Sequence, residues 1–348
     1  KKDGSLSNAC LNYFGDEYHN HVGGPFTRVL VRPVDLNSNK ETKEALLSVG
    51  WEPSEYNTNN AGEKTSPKLS QDDEFIGIQG SLGRLLVRRV QCTQRRNILL
   101  GWREHIRPDG TIKPVVNGIA STGRLRHGVV VNVPSPDSGS FYAKQMRSCF
   151  IAREGMVIVG ADSAGNQMRQ LAARMGDQEF TDAVLHGKSS EGTDLHSLNQ
   201  KRIGVKSRTE AKNFFYGFIF GAQDPKIAKM LGISREEARL IREEYFRKVP
   251  KIKELIDQLT EEWRSSAKKW FNAKWNKWEF KDGYITGVDG RPILVDTEHK
   301  ILNYMLQSDE AIQMSLAYVL VHEWMEQRGY ELGSDWNMLI FYHDEFQA

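Results

Sequence analysis

Cysteine is scarce. The 348 residues contain three, Cys10, Cys92 and Cys149, widely spaced and with no Cys-x-x-Cys pair. An odd, scattered set supports neither a disulfide framework nor a zinc finger, and it places the chain in a reducing, cytoplasmic-type compartment. Long apolar runs are missing too. None approaches the ~20 residues a membrane helix requires, and the start at Lys1 and Lys2 lacks the apolar core of a secretory signal, so no membrane partner is expected. Charge of one sign is absent: 47 Lys and Arg stand against 45 Asp and Glu, a net of +2, so bulk charge names no partner. With 30 Gly, 11 Pro, 39% apolar and 26% charged residues, the composition excludes collagen, coiled coil and intrinsic disorder. No repeat or low-complexity segment is visible. What is present is enough chain for two or three domains with a large buried core.

Read along the chain, 1–30 is polar and Gly-rich, and Phe26 to Pro33 alternates briefly like a strand ended by proline. Thr42 to Gly50 has the pattern of a short helix stopped by glycine, and the polar stretch through Gln71 that of an exposed loop. From Gly80 to Trp102 a helical pattern places Arg84, Arg88 and Arg95 on one face, either a solvated stripe or a phosphate-tracking one. Met156 to Val159 is an apolar run with Asp162 beyond it, which predicts a buried strand delivering an acid at its end. Helical character then dominates to about Ser266, with capping-box spacing at Ser207/Glu210 and Ser234/Glu237 and a break at Pro250. After a tryptophan-rich segment, Asp289-Gly290 marks a tight turn between Tyr284 to Thr286 and Pro292 to Val295. Ala311 to Met325 reads as a core helix. The chain ends as a hairpin, Met338 to Tyr342 and Phe346 to Ala348, with Asp344 and Glu345 at its turn and so little return strand that clipping at the C-terminus is inferred.

Two groups carry chemistry. Asp162 and Asp344 each follow an apolar run. A lone acid at a strand end is usually a turn or cap residue, but two such acids on rigid elements can hold a metal pair that activates an attacking oxygen and neutralises phosphates. Glu345, next to Asp344, is expected on the opposite side of the strand as an outer, auxiliary acid. On the helix opening at Ser207, Arg208, Lys212, Tyr216 and Phe220 recur every four residues, each turned by about 40° and raised by about 6 Å. That ladder suits a nucleoside triphosphate: phosphates on Arg208 and Lys212 at the positive helix end, sugar on Tyr216, base level at Phe220. The same spacing also describes an amphipathic helix with a cationic start and an aromatic core stripe.

These residues resemble a known family. Val159-Gly-Ala-Asp162-Ser-Ala-Gly-Asn-Gln167-Met-Arg169, Arg208-Thr-Glu-Ala-Lys212-Asn-Phe-Phe-Tyr216-Gly217 and His343-Asp344-Glu345 look like motifs A, B and C of the A-family DNA polymerases. Thr122-Gly123-Arg124, Gly192-Thr-Asp-Leu-His196-Ser and Gly287-Val-Asp-Gly290-Arg291 with Leu302-Asn303-x-x-x-Gln307 follow in the same order. The blocks around His196, Tyr216 and His343 are closest to the phage replicative branch.

The resemblance implies an α/β (α+β) right-hand fold. A thumb remnant and connecting segments would occupy 1–110, the first part of an antiparallel-sheet palm 111–168, helical fingers 169–280 around a motif B helix at 208–221, and the rest of the palm 281–348. It implies template-directed DNA synthesis on primer-template DNA from dNTPs, in the host cytoplasm if the chain is phage-encoded, with an unidentified processivity subunit as a further partner. Asp162, the Ser163 carbonyl and Asp344 would bind two Mg²⁺ ions, or Mn²⁺ in their place, with Glu345 as auxiliary acid. His196, Arg208 and Lys212 would hold the triphosphate, Lys212 also assisting the leaving pyrophosphate. Tyr216 would line the sugar pocket, and Gly217 would let the base pair approach the helix closely. Arg124, Arg291, Asn303 and Gln307 would probe the minor groove near the primer terminus, and His343 would touch the primer end.

Two departures stand out. Where the family carries a glutamate that crowds the ribose 2′-hydroxyl and bonds a tyrosine, this chain has Gln167 and Phe220, an amide facing a phenyl ring, which implies weaker rejection of ribonucleotides. His127 to Pro134 keeps only the end of the family's primer-side pattern. No acid-rich exonuclease block is present, so proofreading is not expected of this chain. The competing readings are a single-subunit phage-type RNA polymerase, disfavoured by Phe220-Gly221 and by Glu345 after Asp344, and a non-catalytic primer-template binder.

Overall fold

A computed structural model describes residues 7–14, 33–53, 55–59, 64–69, 75–137, 139–273 and 276–348. The strand expected at Phe26 to Pro33 falls outside these residues, apart from its closing proline. The chain divides into two compact units, residues 1–96 and 97–348.

The first unit contains α1 (Asn8–Phe14), α2 (Asn39–Ser48), β1 (Tyr56–Thr58), β2 (Lys64–Pro67) and most of α3 (Gly80–Glu104). Ser38 caps α2 by accepting from the Glu41 N–H, the capping expected of serine at that position. Leu46, Trp51, Phe75, Leu86 and Val90 form its core. Where the sequence suggests only loop, β1 and β2 pair antiparallel across a bulge; short polar strands carry no apolar alternation to betray them. On α3, Arg84 and Arg88 are exposed, whereas Arg89 is tied to the Leu36 carbonyl at 2.6 Å and the Asn37 side chain at 2.9 Å.

The second unit begins with a hairpin, β3 (Val115–Ile119) and β4 (Leu125–Gly128), then α4 (Ala143–Arg147), β5 (Gly160–Asp162), α5 (Asn166–Met175), α6 (Gln178–Leu185) and α7 (Leu195–Ile203). There follow α8 (Arg208–Ile219), α9 (Asp224–Leu231), α10 (Arg235–Lys248) and α11 (Pro250–Ser266). Both predicted capping boxes are present, at Ser207/Glu210 and Ser234/Glu237, and Pro250 opens α11, where its missing N–H costs nothing. Two hairpins come next, β6 (Lys268–Asn272) with β7 (Lys277–Lys281), and β8 (Gly283–Thr286) with β9 (Pro292–Val295). The second is the hairpin read from Asp289-Gly290; the first is strand inside the stretch assigned to helical fingers. The chain closes with α12 (Ile301–Gln327), β10 (Ile340–Tyr342) and β11 (Glu345–Gln347).

One core joins α5 to α12 with β8 and β9: Leu171 of α5, Phe180 of α6, Phe214, Phe215 and Ile219 of α8, Tyr245, Ile252, Trp263, Ile285, Ile293, Met305 and Leu306. Burial contributes about 2–3 kcal/mol for each large side chain. The Trp263 indole N–H is satisfied by the Val295 carbonyl at 2.8 Å. The helix expected over Ala311 to Met325 is longer and only half core. Ile301 to Met314 supplies its buried residues, while Leu316, Val319, Leu320 and Trp324 are exposed.

The sheet that matters for function has three antiparallel strands in the order β10-β11-β5. Here the expectation of a buried strand at Met156 to Val159 fails. The strand is Gly160–Asp162, and the apolar run before it is exposed, Val157 at 78%. Apolarity alone does not bury a segment when nothing among the described residues packs over it.

Candidate active site

Sheet register brings the distant acids together. Glu345 stands directly opposite Asp162, and the Ser163 N–H donates to the Asp344 carbonyl at 2.9 Å. The β10-β11 connection is a two-residue turn, His343-Asp344, with His343 at φ 58°. A histidine is tolerated there, at some strain. Because Asp344 lies in the turn and Glu345 in the strand, pleat alternation does not separate them. The expected opposite placement of Glu345 is therefore wrong: as the direct cross-strand partner of Asp162 it shares that residue's face.

Asp162 is exposed, and partial desolvation, then the charges of Asp344 and Glu345, push its carboxyl above the ordinary value. Among the described residues no cation is ion-paired to any of these three acids. Nor do three His, Cys, Asp or Glu side chains among them converge tightly enough to form a metal set of their own. Neighbouring carboxylates without an ion-paired cation among the described residues, beside the Ser163 carbonyl, which accepts a 3.3 Å bond from the Asn166 N–H, are the oxygen donors a hard divalent ion takes when water and phosphate oxygens complete its shell. The residues fit such an ion.

A second cluster forms around the start of α8. Arg208 donates from Nε and Nη2 to the Asp194 carboxylate, the shortest contact being 2.6 Å. Asp194 also caps α7 and accepts from the Ser197 hydroxyl at 2.5 Å. Burial alone would raise Asp194, but the Arg208 guanidinium and the Ser197 hydroxyl hold its carboxyl far below the ordinary 3.8. Asp194 was not singled out from the sequence; an aspartate two residues before His196, at a helix start, is the signal. Its charged form is favoured by folding, so the stability it contributes is complete above the unfolded value of 3.8 and drains away as pH falls below it. Asp194→Asn is expected to cost about 2 kcal/mol at pH 7 through the weakened cap and the lost charge-assisted bonds. Urea titrations at pH 7 and pH 3 should show the gap between wild type and variant narrowing at the lower pH.

His196 is buried beside the Phe215 and Tyr216 rings. Burial, followed by the positive charges of Arg208 and Lys212, drives it toward the neutral imidazole. Lys212 is exposed. Tyr216, whose hydroxyl is raised by burial, stacks on Phe220 with centroids 6.1 Å apart. The ladder is thus real, although α8 ends at Ile219 with Phe220 as its cap. Gly217 is buried, and a Cβ there would lie 2.8 Å from Met230 Cε, the flexible end of a side chain on α9.

A third group lines two adjoining clefts of about 570 and 360 Å³, which share Ala120, Thr122, Arg126 and Gln307. Phe220, Asn303 and Gln307 line the first, with Arg126 and Lys226; Arg124, His127, Gln307 and His343 line the second. Gln307 donates to Asn303 at 2.9 Å. Arg291 is anchored to the Thr122 carbonyl and the Ser308 hydroxyl, both at 3.0 Å. Burial, then the charges of Arg124 and His127, keep His343 below its usual value. Arg124 lines the second cleft and also ion-pairs with Glu310. One expectation needs correction here. Gln167 donates its amide to that same carboxylate at 3.1 Å, so its recorded partner is an acid and not the Phe220 ring. Glu310 escaped the sequence reading, although two adjacent acids, Asp309 and Glu310, in the middle of a long helical stretch with no basic residue near them are a visible anomaly.

Acids on a small antiparallel sheet and, in the same unit, a capped helix with a cationic start are features of a nucleotidyl-transfer domain. The sequence pattern of DNA polymerase family A matches residues 26–348, and the chain belongs to that family. It is 27% identical over 345 residues to the DNA-directed DNA polymerase of Escherichia phage T7, covering 94% of this chain and 48% of that protein. The DNA-directed DNA polymerase of Escherichia phage Phieco32 is 25% identical, with 94% of this chain and 63% of that one covered. DNA polymerase I of Chloroflexus aurantiacus is 26% identical across 66% of this chain and 24% of its own. The chain spans about half the length of the T7 relative it matches. The fold is shared with the POL domain of Pol1 from M. smegmatis, solved with DNA primer-template and dNTP, at a TM-score of 0.67 and 21% identity over 90% of this chain and 54% of that one. No helix among the described residues is long and apolar enough to cross a membrane.

Proposed function

We propose that this chain carries out template-directed DNA synthesis, transferring a nucleotide from a dNTP to a primer 3′-hydroxyl, in the setting of phage-type replication. The observation that carries this reading is the pairing of β11 with β5, which sets Asp162, Asp344 and Glu345 at one end of one sheet with no ion-paired cation among the described residues. In this reading 111–168 and 281–348 act as palm, 169–280 as fingers and 1–110 as thumb remnant and connecting segments.

Asp162, the Ser163 carbonyl and Asp344 would hold Mg²⁺ or Mn²⁺, which supplies charge neutralisation at the phosphates and acidifies the attacking hydroxyl. Arg208, oriented by Asp194, and Lys212 bind the triphosphate oxygens at the positive end of α8. Tyr216 and its stacked partner Phe220 present the flat wall against which the sugar and base rest. Neutral His196, behind Tyr216, fixes that wall more than it meets the phosphates. Asn303, Gln307 and His343, from the clefts, and Arg291, anchored on the cleft residue Thr122, check the primer-terminal pair, where donors read a pattern shared by many base pairs.

The test is extension of a labelled primer on a template with Mg²⁺ and either dNTPs or rNTPs. Extension with dNTPs is expected. A mobility shift of primer-template without lengthening would reduce the chain to a binder, and preference for rNTPs would make it an RNA polymerase.

A further inference from the structure

Two adjacent acids sit in the buried half of α12, Asp309 at 2% and Glu310 at 1% exposure, on a stretch whose other inward residues include Met305, Leu306 and Met314. Ionised carboxylates in such surroundings persist only with partners. Asp309 has a structural one, the Arg174 fork at 2.7 and 2.8 Å. Glu310 is different, because its two partners belong to two different parts of the site. Arg124, from the turn between β3 and β4, ion-pairs with it, and Gln167, in the first turn of α5 shortly after Asp162, donates to the same oxygen at 3.1 Å. Arg124 and Gln167 show no bond to each other and meet only on this carboxylate. Each also keeps a buried atom with no partner, Arg124 Nε and Gln167 Oε1. Arg124 is thereby held against the cleft that His343 and Gln307 line.

We propose that Glu310 is a positioning residue that couples the primer-terminal side of the site to its nucleotide side, by holding Arg124 and Gln167 on one buried carboxylate. The inference rests on the polymerase reading above. When a well-formed terminal pair leaves Arg124 in place, Glu310 stays satisfied and Gln167 keeps its orientation beside the metal-binding acids. A terminus that draws Arg124 away strands Glu310, which can then be satisfied only by pulling on Gln167. Nucleotide binding is thus made sensitive to the quality of the pair already formed.

The experiment is a coupling cycle in the intact protein, measured by single-nucleotide insertion on matched and mismatched primer ends. Arg124→Ala and Gln167→Ala are made singly and together, with Glu310 native and with Glu310→Gln, which keeps shape and one acceptor but removes the charge. With Glu310 native, the two substitutions should be non-additive in the KM for the correct dNTP by about fivefold, the low end of site-to-site coupling. In the Glu310→Gln background they should become additive, and the preference for matched ends should fall several-fold with a larger change in KM than in kcat. Additivity with Glu310 native, or coupling that survives Glu310→Gln, overturns the proposal. So does a Glu310→Gln protein that merely melts earlier while its preference for matched ends is intact. If Glu310→Gln does not fold, the pair of substitutions with Glu310 native decides alone, additivity again overturning it. Should the wild-type protein extend no primer, the polymerase reading fails by itself. The same cycle read by fluorescence titration of primer-template and dNTP binding then tests the coupling separately.

Discussion

Asp162→Asn and Asp344→Asn should each abolish primer extension, lowering it by at least about a thousandfold, while leaving primer-template binding in place. The magnitude follows from the several kcal/mol that divalent ions supply at a phosphoryl centre, at roughly 1.4 kcal/mol per tenfold in rate. In the proposed reading both acids hold the same ions, so the double variant should be no worse than either single one. The sheet adds a second expectation that a structural acid would not meet. Partial desolvation, Asp344 and Glu345 all disfavour the charged form of Asp162, so Asp162→Asn should raise the melting temperature in metal-free buffer as it removes activity. Functional sites commonly carry such unrelieved charge at the expense of stability. An Asp162→Asn protein that melts lower than wild type, or that still extends primers at a tenth of the wild-type rate, would refute the assignment.

What could be read in advance was what depends on spacing along one element. The Ser207/Glu210 and Ser234/Glu237 caps, the four-residue ladder from Arg208 to Phe220 and the Asp289-Gly290 hairpin all follow from periodicity and capping chemistry acting over a few residues. What escaped depends on contacts across the fold. The face of Glu345 is set by whether Asp344 belongs to the turn or the strand, a register that composition does not encode. That Met230 of the following helix lies against Gly217 is likewise set by tertiary packing and not by the local pattern. The exposure of Leu316, Val319, Leu320 and Trp324 is equally invisible in an apolar string, because burial depends on what lies opposite. The roles of Asp194 and Glu310 were hidden for the same reason: each is defined by partners on other elements. Their local signals, a capping aspartate and a pair of adjacent acids in mid-helix, do not say which partners they have.

Gln167→Glu should destabilise the protein by about 3 kcal/mol at pH 8, the low end of the cost of an uncompensated buried charge. From sequence alone this change looks like a way to tighten sugar selection, by restoring a carboxylate beside the nucleotide. The structure predicts otherwise, because the Gln167 amide already donates to Glu310, which is 1% exposed. A glutamate at 167 would set two carboxylates against each other with Arg124 as the cation nearest at hand. One of them must then take up a proton, so the folded-state pKa of the pair rises above the ordinary glutamate value. The sign of the pH dependence follows. Folding favours the protonated form, so the penalty is absent below the unfolded value and complete once pH exceeds the raised one. Urea unfolding of Gln167→Glu should therefore approach wild type at pH 4 to 5 and fall short of it at pH 8. Exchanging the two groups supplies the decisive control. Gln167→Glu with Glu310→Gln keeps one acid and one amide in contact and should recover most of the lost stability at pH 8, a coupling a single contact pair is able to show. In that double variant, with the carboxylate on the α5 side and no opposing charge, insertion of a ribonucleotide relative to a deoxynucleotide should fall below the wild-type ratio. Equal stability of wild type and Gln167→Glu across this pH range would mean that Gln167 and Glu310 do not meet in the folded protein.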